Sequence, residues 1–306
     1  MNSYRQSSIE NNLWLRARTI HYVRTFFIDN NYLEIETPYR ISAPAPEAQI
    51  DAVTSGNRFL HTSPELCMKQ LLAAGYHRIF QICRCFRQQE RGAKHLPEFT
   101  ILEWYRVNTD YFDMMEQCED LIRFLADKLD SGGLLVYQGA KIDLKKPWQR
   151  MSVSDAFNRF ASISMEKALV QDLFDEVMAL EIEPNLGYKK PLFLYDYPAE
   201  KAALAALKSD NKALAQRFEL YICGLELCNA FTELTDSDEQ RLRFKKEQDV
   251  RRSSGKQIYP TPEKFLKTLN DMPDASGNAL GIDRLVMLFA DSTKIDDVVA
   301  FTPEEL

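Results

Sequence analysis

RIFQICRCFRQQERGAKHLPEFTILEWYR, residues 78–106, is the stretch that decides the fold. Two runs rich in β-branched and aromatic residues, 78–87 and 98–106, flank the charged loop QQERGAKHLP. That is the pattern of a long antiparallel hairpin. Period-two alternation puts Phe99, Ile101, Glu103 and Tyr105 on one face of the return strand. A carboxylate and a phenol beside aromatics read as a binding floor, or as an edge face with a solvated glutamate. Arg87 closes the first strand where the loop opens.

Upstream, residues 12–28 carry Leu13, Ala17, Ile20, Val23 and Phe27 at helical spacing, and DNN at 29–31 stops the helix. YLEIETP (32–38) alternates Leu33 and Ile35 against Glu34 and Glu36, a strand ended by Pro38. SPELCMKQLLAAG (63–75) predicts a helix capped by Ser63, with Pro64 at its first position and Gly75 at its end. Downstream, the pattern predicts helices over 110–130, 152–160 and 170–181, and a polar one over 237–252. It predicts strands over 190–198, 217–231 and 296–301, and a surface excursion over the Gly- and Lys-rich 131–147. Strands in adjacent pairs without a βαβ rhythm imply an α+β fold, an antiparallel sheet flanked by helices, as one domain over 1–306.

Composition narrows the function. The 306 residues are 45% hydrophobic and 27% charged, an ordinary globular balance. The formal charge of −7 argues against broad nucleic-acid binding. The N-terminus has no apolar leader and no run is long enough to span a bilayer, so a cytoplasmic protein is expected. The six cysteines form no disulfide framework and the four histidines show no ligand spacing. Buried free thiols are favoured over a zinc site. Fingerprints of Rossmann, P-loop, serine-hydrolase and zincin chemistry are all missing.

Two further stretches set charge into apolar sequence. GLELCNAFTEL (224–234) carries Glu226 and Glu233, which suggests a bound cation, either metal or ammonium, or else a part-buried salt bridge. SGNALGIDRLVML (276–288) places Arg284 behind a Gly-rich turn. There it can fork onto phosphate, or lie on a helix surface.

Together the three stretches resemble the motifs of class II aminoacyl-tRNA synthetases, in particular the lysyl-tRNA synthetases. YVRTFFIDNNYLEIETP resembles motif 1, FRQQERGAKHLPEFTILEWYR motif 2 and ALGIDRLVML motif 3. The likeness runs from about residue 12 to residue 301. The motif 1 helix starts so early that no anticodon-reading OB-fold is expected ahead of it. In this, and in HTSPE, PEFTILEWYR and PDASGNALGIDRL, the chain is similar to the elongation factor P β-lysine ligases.

The resemblance implies the roles. ATP would activate (R)-β-lysine as an adenylate, which a lysine side chain of elongation factor P then attacks, with no protein nucleophile needed. Arg87 would hold the α-phosphate and Arg284 the γ-phosphate. Phe99 would stack on adenine, with Gln88, Gln89, Glu90, Leu96, Leu227 and Gly281 completing the ATP site. Glu226 and Glu233 would hold magnesium. Glu65, Glu103, Tyr105 and Glu233, with Ser63, Asn229 and Ala279, would receive the substrate's two ammonium groups. Motif 1 implies a homodimer, and tRNA is not the expected partner.

Departures from the family pattern bear on this. Gln89 stands where motif 2 usually has glutamate, Leu96 where an asparagine is usual, and Ala230 where a glycine is usual. They predict weaker ATP recognition. Gln89 and Leu96 are also the features that would suit a non-catalytic paralogue. A truncated lysyl-tRNA synthetase or another amide ligase of this fold is the other reading. Ala279, where lysyl-tRNA synthetases typically carry glycine, favours the β-lysine substrate. The basic run at 241–252 suggests an acceptor-docking surface, or a solvated helix face.

Overall fold

The computed structural model describes residues 4–306. Eight strands form the main sheet: β1 (Leu33–Glu34), β2 (Arg78–Phe86), β3 (Glu98–Val107), β4 (Gln149–Ser152), β5 (Leu192–Pro198), β6 (Leu214–Ile222), β7 (Leu225–Thr232) and β8 (Ala275–Gly281). Their order is β1-β2-β3-β8-β7-β6-β5-β4. The six central strands pair antiparallel, and β1 and β4 join the two edges in parallel. The sheet is therefore mixed, where alternation alone predicts antiparallel pairing throughout.

Alternation gives the sheet two unlike faces. Phe80, Leu102, Trp104, Leu280, Ala230, Cys228, Phe218 and Leu220 turn to one side and join the largest apolar cluster. Three helices cover that side: α1 (Glu10–Asp29) through Val23, Phe26 and Phe27, α3 (Tyr111–Lys128) and α5 (Ile282–Phe289). Asp110 opens α3 with a reciprocal capping box to Asp113, which satisfies orphan amides of the first turn. The other face carries the polar residues and is open at its centre. α2 (Glu65–Ala73) and α4 (Ser237–Ser253) flank it.

Asp283 ties these parts together. Its carboxylate accepts from Arg16 of α1 at 2.5 Å and from the Thr100 amide of β3 at 2.7 Å. One buried carboxylate thus joins the first helix, the hairpin and the last helix.

Several expectations are corrected. Residues 296–301 form no strand; Ile295–Val298 is a single 3-10 turn. The turn sends Ile295 and Val298, three residues apart, into the core, while Asp297 accepts from Ser292. Residues 131–147 are no surface excursion. They hold a small hairpin whose Leu135, Tyr137, Ile142 and Leu144 fill the main core. Residues 170–181 are not one helix: the helix Met165–Val170 ends there, Asp172 follows at φ 55°, and a four-residue helix Phe174–Val177 runs into a π turn at Met178–Ile182. The N-cap of α2 is Pro64, although the Ser63 hydroxyl still accepts from the Glu65 amide at 3.0 Å. β1 is two residues long and Leu33 is half exposed.

Candidate active site

Strand register builds the floor of a cavity of about 700 Å³, a size suited to a nucleotide-bearing ligand. One row runs Gln81, Glu103, Ala279, Asn229 and Glu219 across five paired strands. The adjacent row runs Ile79, Tyr105, Gly277, Phe231 and Arg217. A bulge resets the alternation in β7. Pairing passes from Leu220–Cys228 to Tyr221–Glu226, which leaves Leu227 as the extra residue. Glu226 and Asn229, three residues apart, therefore both line the cavity.

The deep end is acidic. The Ser63 hydroxyl donates to both Glu103 oxygens at 3.0 Å, and the Tyr105 hydroxyl donates to Glu103 Oε1 at 3.0 Å. Lys69, one turn along α2 from Glu65, is fully buried between Glu65, at 2.5 Å, and Glu233. Burial opposes its charge, but Glu233 and Glu65 hold its proton more tightly than usual. Three carboxylates and one ammonium leave this end with a formal charge of two minus. Burial, with Glu65 beside it, pushes Glu103 well above the carboxylate range. A methyl group built on Gly277 would fall inside the Tyr105 ring and the Glu233 carboxylate, so glycine is required at this position.

The outer end is cationic and half exposed. Arg87 lies over the Phe99 ring, 4.9 Å from its centroid, and reaches Glu90 at 3.6 Å; its Nε is buried without a partner. Arg284, in the first turn of α5, donates to Glu226 Oε2 at 3.0 Å and to the Glu226 carbonyl at 2.9 Å. Its other nitrogen meets His95 Nε2 at 2.6 Å. Burial would raise Glu226, but Arg284, followed by Arg217 and Arg87, draws it below the usual range. Gln89 adopts φ 65°, a left-handed conformation at the tip of the loop.

The cavity gathers Arg87, Gln89, Glu90, Leu96, Phe99, Glu226, Leu227, Gly281, Arg284, Ser63, Glu65, Glu103, Tyr105, Asn229 and Ala279. It includes neither Gln88, which is exposed and whose backbone amide donates to the Asp51 carbonyl at 2.7 Å, nor Glu233, whose carboxylate is fully buried against Lys69 behind the cavity wall. The pairing of Glu226 with Glu233 as one metal site is corrected. They stand seven residues apart along a strand, roughly 20 Å at 3.3 Å per residue. Glu233 is also occupied by Lys69. The carboxylate that Glu226's charge acts on across the sheet is Glu219, held by Tyr197, Tyr221 and Arg217 at 2.6–2.7 Å.

Sequence reasoning missed Glu47, Lys69, His95, Arg217 and Gly277. Of these, Lys69 carried a usable signal, its i,i+4 spacing from Glu65. His61, Cys83 and Cys85 also come together, with donor atoms within 4.8 Å of one another, which spacing along the chain could not reveal. His61 Nε2 is 2.7 Å from the Arg84 carbonyl, and three donors fall short of a closed tetrahedral set. They form a thiol–imidazole cluster on the same face of the sheet as the floor, beside Ile101 and Ala279. In the basic run at 241–252, Lys245 and Lys246 are exposed and form no ion pair among the described residues. Arg241, Arg243 and Arg252 pair with Glu263, Glu239 and Asp249, and Arg251 is buried.

The sequence model for tRNA synthetases of class II (D, K and N) matches residues 1–305. A protein of Pectobacterium atrosepticum named elongation factor P–(R)-β-lysine ligase is 39% identical, over 99% of this chain and 98% of its own. Proteins with the same name from Erwinia tasmaniensis and Salmonella arizonae are 37% and 36% identical, over 98% and 95% of this chain and 97% and 94% of theirs.

Proposed function

We propose a function from one premise: the chain belongs to the class II tRNA synthetase family (D, K and N), and within it acts as an ATP-dependent elongation factor P–(R)-β-lysine ligase. The observation that carries this reading is the charge at the deep end. Two minus charges, buried and fixed by Ser63, Tyr105 and Lys69, match the two ammonium groups of β-lysine. Glu65, Glu103 and Glu233 receive these groups, and Asn229 and Ala279 shape the floor beneath them.

ATP lies along the outer end. Arg87 takes the α-phosphate with the nitrogen now unpartnered, Phe99 stacks on adenine, and Arg284 exchanges Glu226 for the γ-phosphate. Gln89, Glu90, Leu96, Leu227 and Gly281 border the nucleotide. The β-lysine carboxylate attacks the α-phosphorus and pyrophosphate leaves. A lysine amine of elongation factor P then attacks the acyl carbon and AMP leaves. The residues fit magnesium through Glu226, since this ion needs one or two carboxylates and completes its shell with phosphates and water. Bound there, it would neutralise phosphate charge.

The chain acts as one catalytic domain, without a tRNA partner, and in the cytoplasm; no helix among the described residues is long and apolar enough to cross a membrane. It pairs as a homodimer through the motif 1 region, where Trp14, Ile28, Leu33 and Tyr39 are exposed. The experiment is ATP–pyrophosphate exchange with β-lysine and with α-lysine. The reading expects exchange with both substrates and preference for β-lysine. Absence of exchange with either would favour a non-catalytic protein.

A further inference from the structure

One carboxylate on the cavity wall has no role in the scheme above. Glu47 lies in the segment APAPEAQID (43–51) and lines the same cavity as Arg87 and Glu65. Its carboxylate takes no hydrogen bond or ion pair among the described residues, yet the backbone around it is fixed on all sides. The buried Arg251 of α4 donates to the carbonyls of Glu47 at 2.8 Å and Ile50 at 3.0 Å, and to Asp51 Oδ1 at 2.8 Å. The Ala48 amide donates to Glu247 at 2.7 Å, and Lys256 donates to the Ala48 carbonyl at 2.9 Å. The Ala52 amide donates to the Tyr259 hydroxyl at 2.8 Å. Arg251 and Glu247 of α4, with Lys256 and Tyr259 just beyond it, thus hold one short loop against the cavity.

Glu47 shares the cavity wall with Arg87, Glu65 and Arg217, and the charges felt by its carboxylate agree with that place. Arg87 acts most strongly, then Glu65, Glu247 and Arg217. Arg87 marks the α-phosphate and Glu65 the amine end. The acyl carbon of an adenylate lies between them. The two substrate ammonium groups already balance the deep end, so Glu47 remains for a third amine.

We propose that Glu47 is the general base of acyl transfer and takes the proton from the attacking lysine ammonium of the acceptor protein. This rests on the ligase reading above. The ammonium gives one proton to the Glu47 carboxylate, and the freed nitrogen pair forms the bond to the acyl carbon. The bond from that carbon to the phosphate oxygen breaks, and AMP leaves with the electron pair. The remaining extra proton on nitrogen passes to solvent. Burial raises Glu47 to about 7 against the pull of Arg87, which suits a base working near neutrality.

The test separates the two half-reactions in the full-length enzyme. Enzyme carrying preformed β-lysyl-adenylate is mixed with elongation factor P, and the single-turnover transfer rate is followed across pH. Wild type should show a bend near the pH at which Glu47 ionises, with the slow limb on the acid side. Glu47→Gln should slow transfer by about 10²-fold or more, far beyond any change in pyrophosphate exchange, and lose the bend. Glu47→Asp should restore part of the rate and the bend. Transfer by Glu47→Gln close to wild type, a surviving bend, or equal losses in exchange and transfer would each overturn the proposal. If wild type itself formed no adenylate, the ligase reading would fail instead.

Discussion

The two ends of the cavity are built on opposite principles. At the deep end, charges are buried, crowded and anchored within the protein: Glu103 by Ser63 and Tyr105, Glu65 and Glu233 by Lys69. At the outer end, Arg284 and Glu226 are part-exposed and paired with each other, a pairing that a phosphate and a cation would replace. The deep end is part of the folded core, and changes there should register in stability as well as binding. The outer end is a set of exchangeable contacts, and changes there should register in catalysis alone.

Lys69→Met breaks this contrast most directly. It strands Glu65 and Glu233 in a buried site, and losing one partner of such a pair costs about 3–5 kcal/mol. Denaturant unfolding should show this as a lowered midpoint with an unchanged slope. Arg284→Ala is the counterpart. It should lower pyrophosphate exchange by about 10²–10³-fold, in line with removal of one preorganised charge contact, while the same unfolding curve stays in place. If Arg284→Ala lost as much stability as Lys69→Met, the distinction between the two ends would collapse.

Ala279→Gly sharpens the account of the floor. Its methyl group lies between Glu103 and Asn229 in the register row and packs beside Cys83, Cys85 and Ile101. Removing it should raise activation of α-lysine relative to β-lysine, with about 1–3 kcal/mol at stake. Comparison of pyrophosphate exchange with the two substrates reads the ratio, and an unchanged ratio would show that the methyl group does not discriminate.

The smallest effect is a pH dependence. Burial raises the Glu103 carboxyl, and a protonated Glu103 cannot pair an ammonium, so β-lysine affinity should fall as pH is lowered and Glu103 takes up its proton, by up to about tenfold per unit for one linked proton. Calorimetry in buffers of different ionisation enthalpy should detect proton release on binding. Uptake, or no exchange, would contradict the assigned state of Glu103.

Legibility in sequence followed the same division. The hairpin, Arg87, Glu103, Tyr105 and Arg284 stood out because charge interrupts an apolar period-two pattern. β7 was harder: its bulge at Leu227 brings Glu226 and Asn229 to one face against the alternation. The spacing of Glu226 and Glu233 invited a shared ion, which the length of the strand between them forbids. Nothing in the sequence singles out Lys69 or Arg251 as buried, because isolated cations in helices are usually solvated. Only tertiary packing reveals the carboxylates and carbonyls that bury them. Glu47 sits in a loop with no periodic signal, and its place on the wall depends on contacts from α4, about 200 residues along the chain.

The central claim meets its most direct test in the intact mass of elongation factor P after incubation with this protein, ATP, magnesium and (R)-β-lysine. The account predicts a mass increase equal to one β-lysyl group on a single lysine, with none when ATP is left out. An unchanged mass, with lysine attached to tRNA instead under the same conditions, would contradict it.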